Sequence, residues 1–191
     1  MNANSFTAEL GSDRGTIGVV DSTLNPRLDG WLCPSNHDQF SPMRFTFTLQ
    51  GEHDGDKSYH ISAAEGWAYT GALVQTSTTG WVGLYGLGVV GRLVDYVTAA
   101  NSRGPDPRWR IRTLSEWDGD LKTLGNVEFH LLDRYGQAMS IESYRHDSVS
   151  PSGEIGKRAT VSSTFANYVS VNKEAQKKKK IRFKLRDIRA T

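Results

Sequence analysis

MRFTFTLQGEHDGDKSYHISA, Met43 to Ala63, places two alternating runs back to back. Met43, Phe45, Phe47 and Leu49 alternate with Arg44, Thr46 and Thr48, the period of a strand buried on one face. Tyr59, Ile61 and Ala63 repeat that period after GEHDGDK, Gly51 to Lys57, whose glycines and aspartates are turn chemistry. Two matched strands around a polar turn predict a β-hairpin, and the same grammar extends over most of the chain.

Downstream, Trp67–Val74 and Trp81–Tyr85 read as apolar strands around a polar Gln75–Gly80 turn. Trp109 and Ile111 then alternate with Arg110 and Arg112, and Val127, Phe129 and Leu131 with Glu128 and His130. After the turn at Asp133–Gly136 comes Ala138–Tyr144, and after Pro151–Lys157 comes Val161–Val169. Ile181, Phe183 and Leu185 alternate with Arg182, Lys184 and Arg186, which predicts a last strand with its apolar side on a core and its cations on the other face.

One segment breaks the two-residue period. Val90, Leu93, Val94, Val97 and Ala100 fall three to four apart and predict one α-helix near residues 90–102, stopped by Asn101–Gly104 and by Pro105 and Pro107. Upstream of Met43, Asn, Asp, Ser, Gly and Pro leave little periodicity apart from a short strand at Thr16–Val20. The expected organisation is a loop-rich N-terminal arm over residues 1–42, a β-rich core domain over 43–172 and a basic segment over 173–191 ending in a strand. About eight to ten strands with turns every eight to twelve residues predict a mainly β protein, an antiparallel sandwich or barrel carrying one helix.

A chain of 191 residues is long enough to bury a core without metal or disulfide support. Its single cysteine, Cys33, forms no internal disulfide and reads as a small buried residue. No cationic region followed by an apolar core opens the sequence, so no secretory signal is expected, and a cytoplasmic or virion-associated location is. The weakly charged stretch 66–91 is broken by glycines and by Gln75–Thr79, and so predicts no transmembrane segment.

Charge is distributed unevenly. Nine cations against Glu174 and Asp187 lie between Lys173 and Arg189, a local charge of +7; the rest of the chain, with 14 cations against 19 acids, carries −5. Lys177, Lys178, Lys179, Lys180, Arg182, Lys184 and Arg186 are therefore candidates for contact with an anionic partner, nucleic acid or another polyanion, through phosphate neutralisation without base reading. A protein partner or a homo-oligomer fits the same asymmetry.

Two further constellations are candidates. Trp67, Tyr69, Trp81 and Tyr85 lie on successive predicted strands, where an aromatic ladder can stack a sugar or an apolar ligand. Gly86, Gly88 and Gly91 form Gly-x-Gly-x-x-Gly between an apolar strand and the predicted helix, and Glu116 or Asp118 then stands where an acid could hold a ribose. That reading implies NAD or FAD as cofactor, but the acids lie about thirty positions beyond Gly86 where the device places them about twenty on. It also requires a parallel strand pair.

No Gly-x-Ser-x-Gly, His-Glu-x-x-His or phosphate-loop lysine occurs. The His37–Asp38, His53–Asp54 and His146–Asp147 neighbours are not dyads by adjacency, since consecutive strand residues face opposite ways. The expected function is accordingly a non-enzymatic β-rich binding or assembly module, a subunit of a viral or phage-like particle being one version, that offers an anionic partner a basic C-terminal face and uses no cofactor. Its alternatives are a dinucleotide-binding enzyme or regulatory domain using Gly86, Gly88 and Gly91, and a β-barrel holding a small apolar or sugar ligand through its Trp and Tyr residues.

Overall fold

A computed structural model of the chain describes residues 4–21, 30–66, 68–86, 107–150, 160–171 and 177–191. The hairpin at its centre joins β5 (Arg44–His53) to β6 (Asp56–Ala63) through Asp54 and Gly55, both at positive φ (53° and 79°). This two-residue loop with both residues left-handed suits the twist of antiparallel strands. The register shifts between Leu49 and Gly51, a bulge that separates the buried inner length of the hairpin from its tip.

Four more strands close the wall. β1 (Ser5–Ser12) pairs with β5 on one side and with β13 (Phe183–Ala190) on the other, β13 pairs with β10 (Phe129–Leu132), β10 with β9 (Arg108–Thr113), and β9 with β6. The result is a closed six-stranded antiparallel barrel in the order β1–β5–β6–β9–β10–β13. Closure removes the sheet edges that would otherwise need protection.

Alternation places one side chain in two inside. Phe6, Ala8, Leu10, Phe45, Phe47, Tyr59, Ile61, Trp109, Ile111, Phe129, Leu131, Phe183 and Leu185 are all buried in one cluster. Phe6 stacks on Phe47 at 4.8 Å between centroids, both meet Tyr59 edge-on, and Trp109 Nε1 donates to the Val74 carbonyl at 2.8 Å. Side chains fill this barrel, as expected when few strands enclose little space.

Further strands lie outside the wall. β2 (Gly15–Val20) extends from β1 and pairs with β3 (Leu32–Pro34) and β4 (Phe40–Pro42), while β7 (Leu73–Thr76) and β8 (Val82–Tyr85) extend from β6. β11 (Ser140–Ser150) and β12 (Thr160–Ser170) form a separate two-stranded ribbon, rooted by bridges from Ser140 to Lys180 and from Ser170 to Trp81. The one helix among the described residues is α1 (Leu121–Leu124), capped by Asp120, whose Oδ1 accepts from Lys122 N at 3.1 Å. Leu124 anchors it in the core, and nearby Trp117 carries Lys57 Nζ 4.7 Å from its ring centroid.

Several expectations are corrected. Within the expected loop-rich N-terminal arm, Ser5–Ser12 form the barrel strand β1, with Phe6, Ala8 and Leu10 inside. Strand structure does not run through Trp67–Val74: residues 68–71 form a turn, with Gly66 and Gly71 at φ 90° and 81°, closed by Thr70 N to Gly66 O and Gly71 N to Ala63 O. Among the described residues thirteen strands stand, the expected eight to ten being joined by β1 and by short β3 and β4. Helix 90–102 and the 151–157 turn lie outside the described residues, and α1 was not foreseen.

Candidate functional site

The aromatic set does not form an exposed ladder. Tyr69 is buried in the main core beside Ala72, and Tyr85 is buried at the end of β8. Trp81 packs edge-on against Tyr144 and Tyr168 in a smaller cluster with Val20 and Cys33. Burial pushes the Tyr168 hydroxyl and the Cys33 thiol up to about 12, so the thiol stays protonated and inert at neutral pH. Trp67 lies outside the described residues.

The glycine pattern is described only at Gly86, where an added Cβ would stand 3.1 Å from Ala72 Cα, so this glycine lets two backbones pass closely. Gly88 and Gly91 lie outside the described residues. β8 pairs with β7, and β9 with β6 and β10, all antiparallel; the parallel pair on which a dinucleotide cradle hangs is not made by these strands. Asp118 Oδ1 accepts from Asp120 N and from Thr123 Oγ1 at 2.9 and 2.6 Å, and these bonds hold its carboxyl below the ordinary range. Glu116 is exposed in the same loop.

The cations near the C-terminus have found acids within the chain. Lys178 Nζ lies 3.2 Å from Glu142, Lys179 Nζ 2.8 Å from Asp13, and Arg182 and Lys184 share Glu128 at 3.2 and 3.8 Å. Burial works to raise the Asp13 carboxyl, but the Lys179 hydrogen bond and the charges of Lys179, Arg182 and Arg14 outweigh it and hold the group low. Lys177 and Lys180 are exposed, and Arg186 lies over Gly11, whose added Cβ would meet its Nε at 2.8 Å. Much of the contrast between body and tail is thus internal charge pairing.

A second cluster of cations lies on another strand. The outer face of β9 carries Arg108 and Arg110; Arg110 stands opposite Ser58 of β6 and Leu132 of β10. The β5–β6 tip and the Asp133–Gly136 turn fold over this face and enclose a cleft of about 480 Å³. Gln50, Gly51, Glu52, His53, Ser58, Arg108, Arg110, Arg134 and Tyr135 line it. Its volume is in the range of small-molecule sites.

Each part has a local cause. Asp133 Oδ1 accepts from the Tyr135 and Gln137 amides at 2.9 and 2.8 Å, which ties the turn that presents Arg134 and Tyr135. Burial raises the Asp133 carboxyl, against those hydrogen bonds and the charges of Arg110 and Arg134. Gly136, at φ 79°, leaves room for Arg110, whose Nη2 would stand 3.2 Å from an added Cβ. Arg134 lies over the Tyr135 ring at 4.5 Å and donates to its hydroxyl; Tyr135 itself is 71% exposed.

Arg110 is the deepest of the three arginines, only 8% exposed. Its Nη1 lies 3.6 Å from Asp54 Oδ2, and its Nε is buried with no hydrogen-bond partner. An unmet buried guanidinium donor is costly, and a bound ion or an ordered water would complete it. No family model, curated protein or solved structure matches this chain. The cleft's chemistry therefore rests on its own residues. Among those described, no group of three or more His, Cys, Asp or Glu is placed to hold a metal, and no helix is long and apolar enough to cross a membrane.

None of the cleft was singled out from the sequence as a site. Arg110 was read as an outward strand residue, and outward it is; the missed signal is that two turns cover it.

Proposed function

We propose that this chain is a non-enzymatic β-barrel binding module that recognises the anionic group of a partner in the arginine cleft. One observation carries the reading: Arg110 is held almost wholly buried beside Arg108 and Arg134, with an Nε that has no partner. Guanidinium groups suit this task because they stay charged and present fixed donors that match oxyanions. The expectation of an anionic partner is kept, with its contact moved from the lysines near the C-terminus to the β9 face. The filled barrel interior and the buried Tyr69 and Tyr85 favour this reading over a ligand held inside the barrel.

The test is calorimetric titration of the full chain with inorganic phosphate at fixed ionic strength. Saturable binding that weakens by about tenfold or more in Arg110→Gln or Arg134→Gln is expected, the loss of one charge-assisted contact. Binding unaffected by either change would remove the cleft from the account.

A further inference from the structure

We propose that the cleft takes a phosphate monoester and that Asp54 is a tethered carboxylate which this group displaces from Arg110. The proposal rests on the reading of the cleft as an anion site and adds its occupant and its competitor.

Asp54 is the first residue of the β5–β6 turn, at φ 53°. Its Oδ2 lies 3.6 Å from Arg110 Nη1 and 3.3 Å from His53 Nε2. The side chain that supplies this oxygen is 71% exposed, whereas that of Arg110 is 9% exposed. The carboxylate thus hangs over the cleft from the solvent side, and a side-chain rotation is enough to withdraw it. At 3.6 Å it makes an ion contact but no hydrogen bond, so it neutralises Arg110 without using its donors. An oxyanion that makes short charge-assisted bonds to the same guanidinium has the advantage.

The number of cations selects among oxyanions. A carboxylate offers one charge and two oxygens, and Asp54 already supplies such a charge beside Arg110 through Oδ2. A phosphate monoester carries nearly two charges at neutral pH and three terminal oxygens, enough to engage Arg108, Arg110 and Arg134 together. Glu52, in the same lining, and Asp133, behind Arg110 and Arg134, oppose an anion of lower charge more effectively than one that engages all three arginines. Beside them the exposed ring of Tyr135, backed by Arg134, offers a flat surface to the organic part of the ester.

A competitor that occupies the receptor group lowers apparent affinity by the fraction of time the site is free. If Asp54 covers Arg110 about nine-tenths of the time, its removal tightens binding about tenfold. The experiment titrates the full chain with phenyl phosphate and with benzoate at constant pH and ionic strength, in wild type, Asp54→Asn, Arg110→Gln and Arg134→Gln. Asn tolerates the left-handed conformation, so the Asp54 variant keeps the turn. Phenyl phosphate is expected to bind wild type about tenfold or more tightly than benzoate, Asp54→Asn to tighten it about three- to tenfold, and both arginine variants to weaken it. Unchanged or weaker binding in Asp54→Asn, with the arginine variants still impaired, overturns the competitor and leaves the anion site standing. Equal affinity for the two probes overturns the choice of phosphate. No binding in wild type and in Asp54→Asn alike overturns both the proposal and the reading beneath it.

Discussion

Two cationic faces of one barrel have had opposite fates. Along β13 and the turn before it, Lys178, Lys179, Arg182 and Lys184 each meet a carboxylate of a neighbouring segment, at 2.8 to 3.8 Å. On β9, one strand beyond β10, Arg110 faces one exposed carboxylate at 3.6 Å and keeps a buried Nε without a partner. The first face has the higher charge density in sequence, and the second has the unmet chemistry. The density of charge along a chain says where cations are; pairing in three dimensions says which of them are still available to a ligand.

The sharpest way to break this comparison is to exchange the phenotypes. Arg110→Gln is expected to lower phenyl phosphate affinity by about ten- to a hundredfold, the range for a buried charge-assisted contact, read by calorimetry. Next in size is Arg44→Ala on the paired side. Arg44 donates to the Asp187 carbonyl at 2.7 Å, pairs with the Asp187 carboxylate and reaches Glu9 at 3.4 Å, so it ties β5 to both β13 and β1. Its loss removes a buried guanidinium and the contacts by which it joins three strands, and should cost about 2 kcal/mol in urea unfolding with anion affinity unchanged.

Smaller effects come from the exposed pairs. Arg182→Gln or Lys184→Gln, each paired with the exposed Glu128, should change stability by less than about 0.5 kcal/mol, since exposed ion pairs contribute little. Replacing Lys177, Lys178, Lys179 and Lys180 together by Gln should weaken phenyl phosphate binding by less than about twofold at 0.15 M salt, where charges beyond the cleft are largely screened. A large loss there would return the anion site to the C-terminal cations.

Acid sharpens the contrast further. The Arg189 hydrogen bond, assisted by Arg44 and opposed by partial burial, holds the Asp187 carboxyl below its ordinary 3.8, and Asp13 is likewise low. Depressed carboxyls stabilise the fold fully above their unfolded value and lose that contribution as pH falls through the folded one. Asp133 is raised and acts in the opposite sense. The urea midpoint is therefore expected to fall as pH drops below about 4, and Asp187→Asn to flatten that fall.

Legibility in the sequence followed the regularity of local patterns. The β5–β6 hairpin, β9, β10 and β13 could be read because large apolar residues alternate without interruption at Phe45, Phe47, Tyr59, Ile61, Trp109, Ile111, Phe183 and Leu185. β1 was missed because Ala8 is small, Gly11 dilutes the pattern and the alternation is carried chiefly by Phe6 and Leu10. α1 is one turn held by Asp120 and Leu124, too short for any helical period to emerge. The cleft was illegible for another reason: its arginines come from β9 and from a turn more than twenty residues later, and the hairpin tip joins them only through barrel closure. The His53–Asp54 pair is visible in the sequence but its contact is not, because strand alternation does not hold in a turn, where the left-handed backbone of Asp54 brings its carboxylate to His53 and Arg110 together.

The most direct measurement is a nuclear magnetic resonance titration of the full chain with phenyl phosphate, following backbone amides and arginine Nε–Hε groups at once. Saturable shifts largest at the Arg110 Nε–Hε and at the amides of residues 133–137 are the predicted result. Shifts largest at residues 177–186, with Arg110 unmoved, would contradict the account.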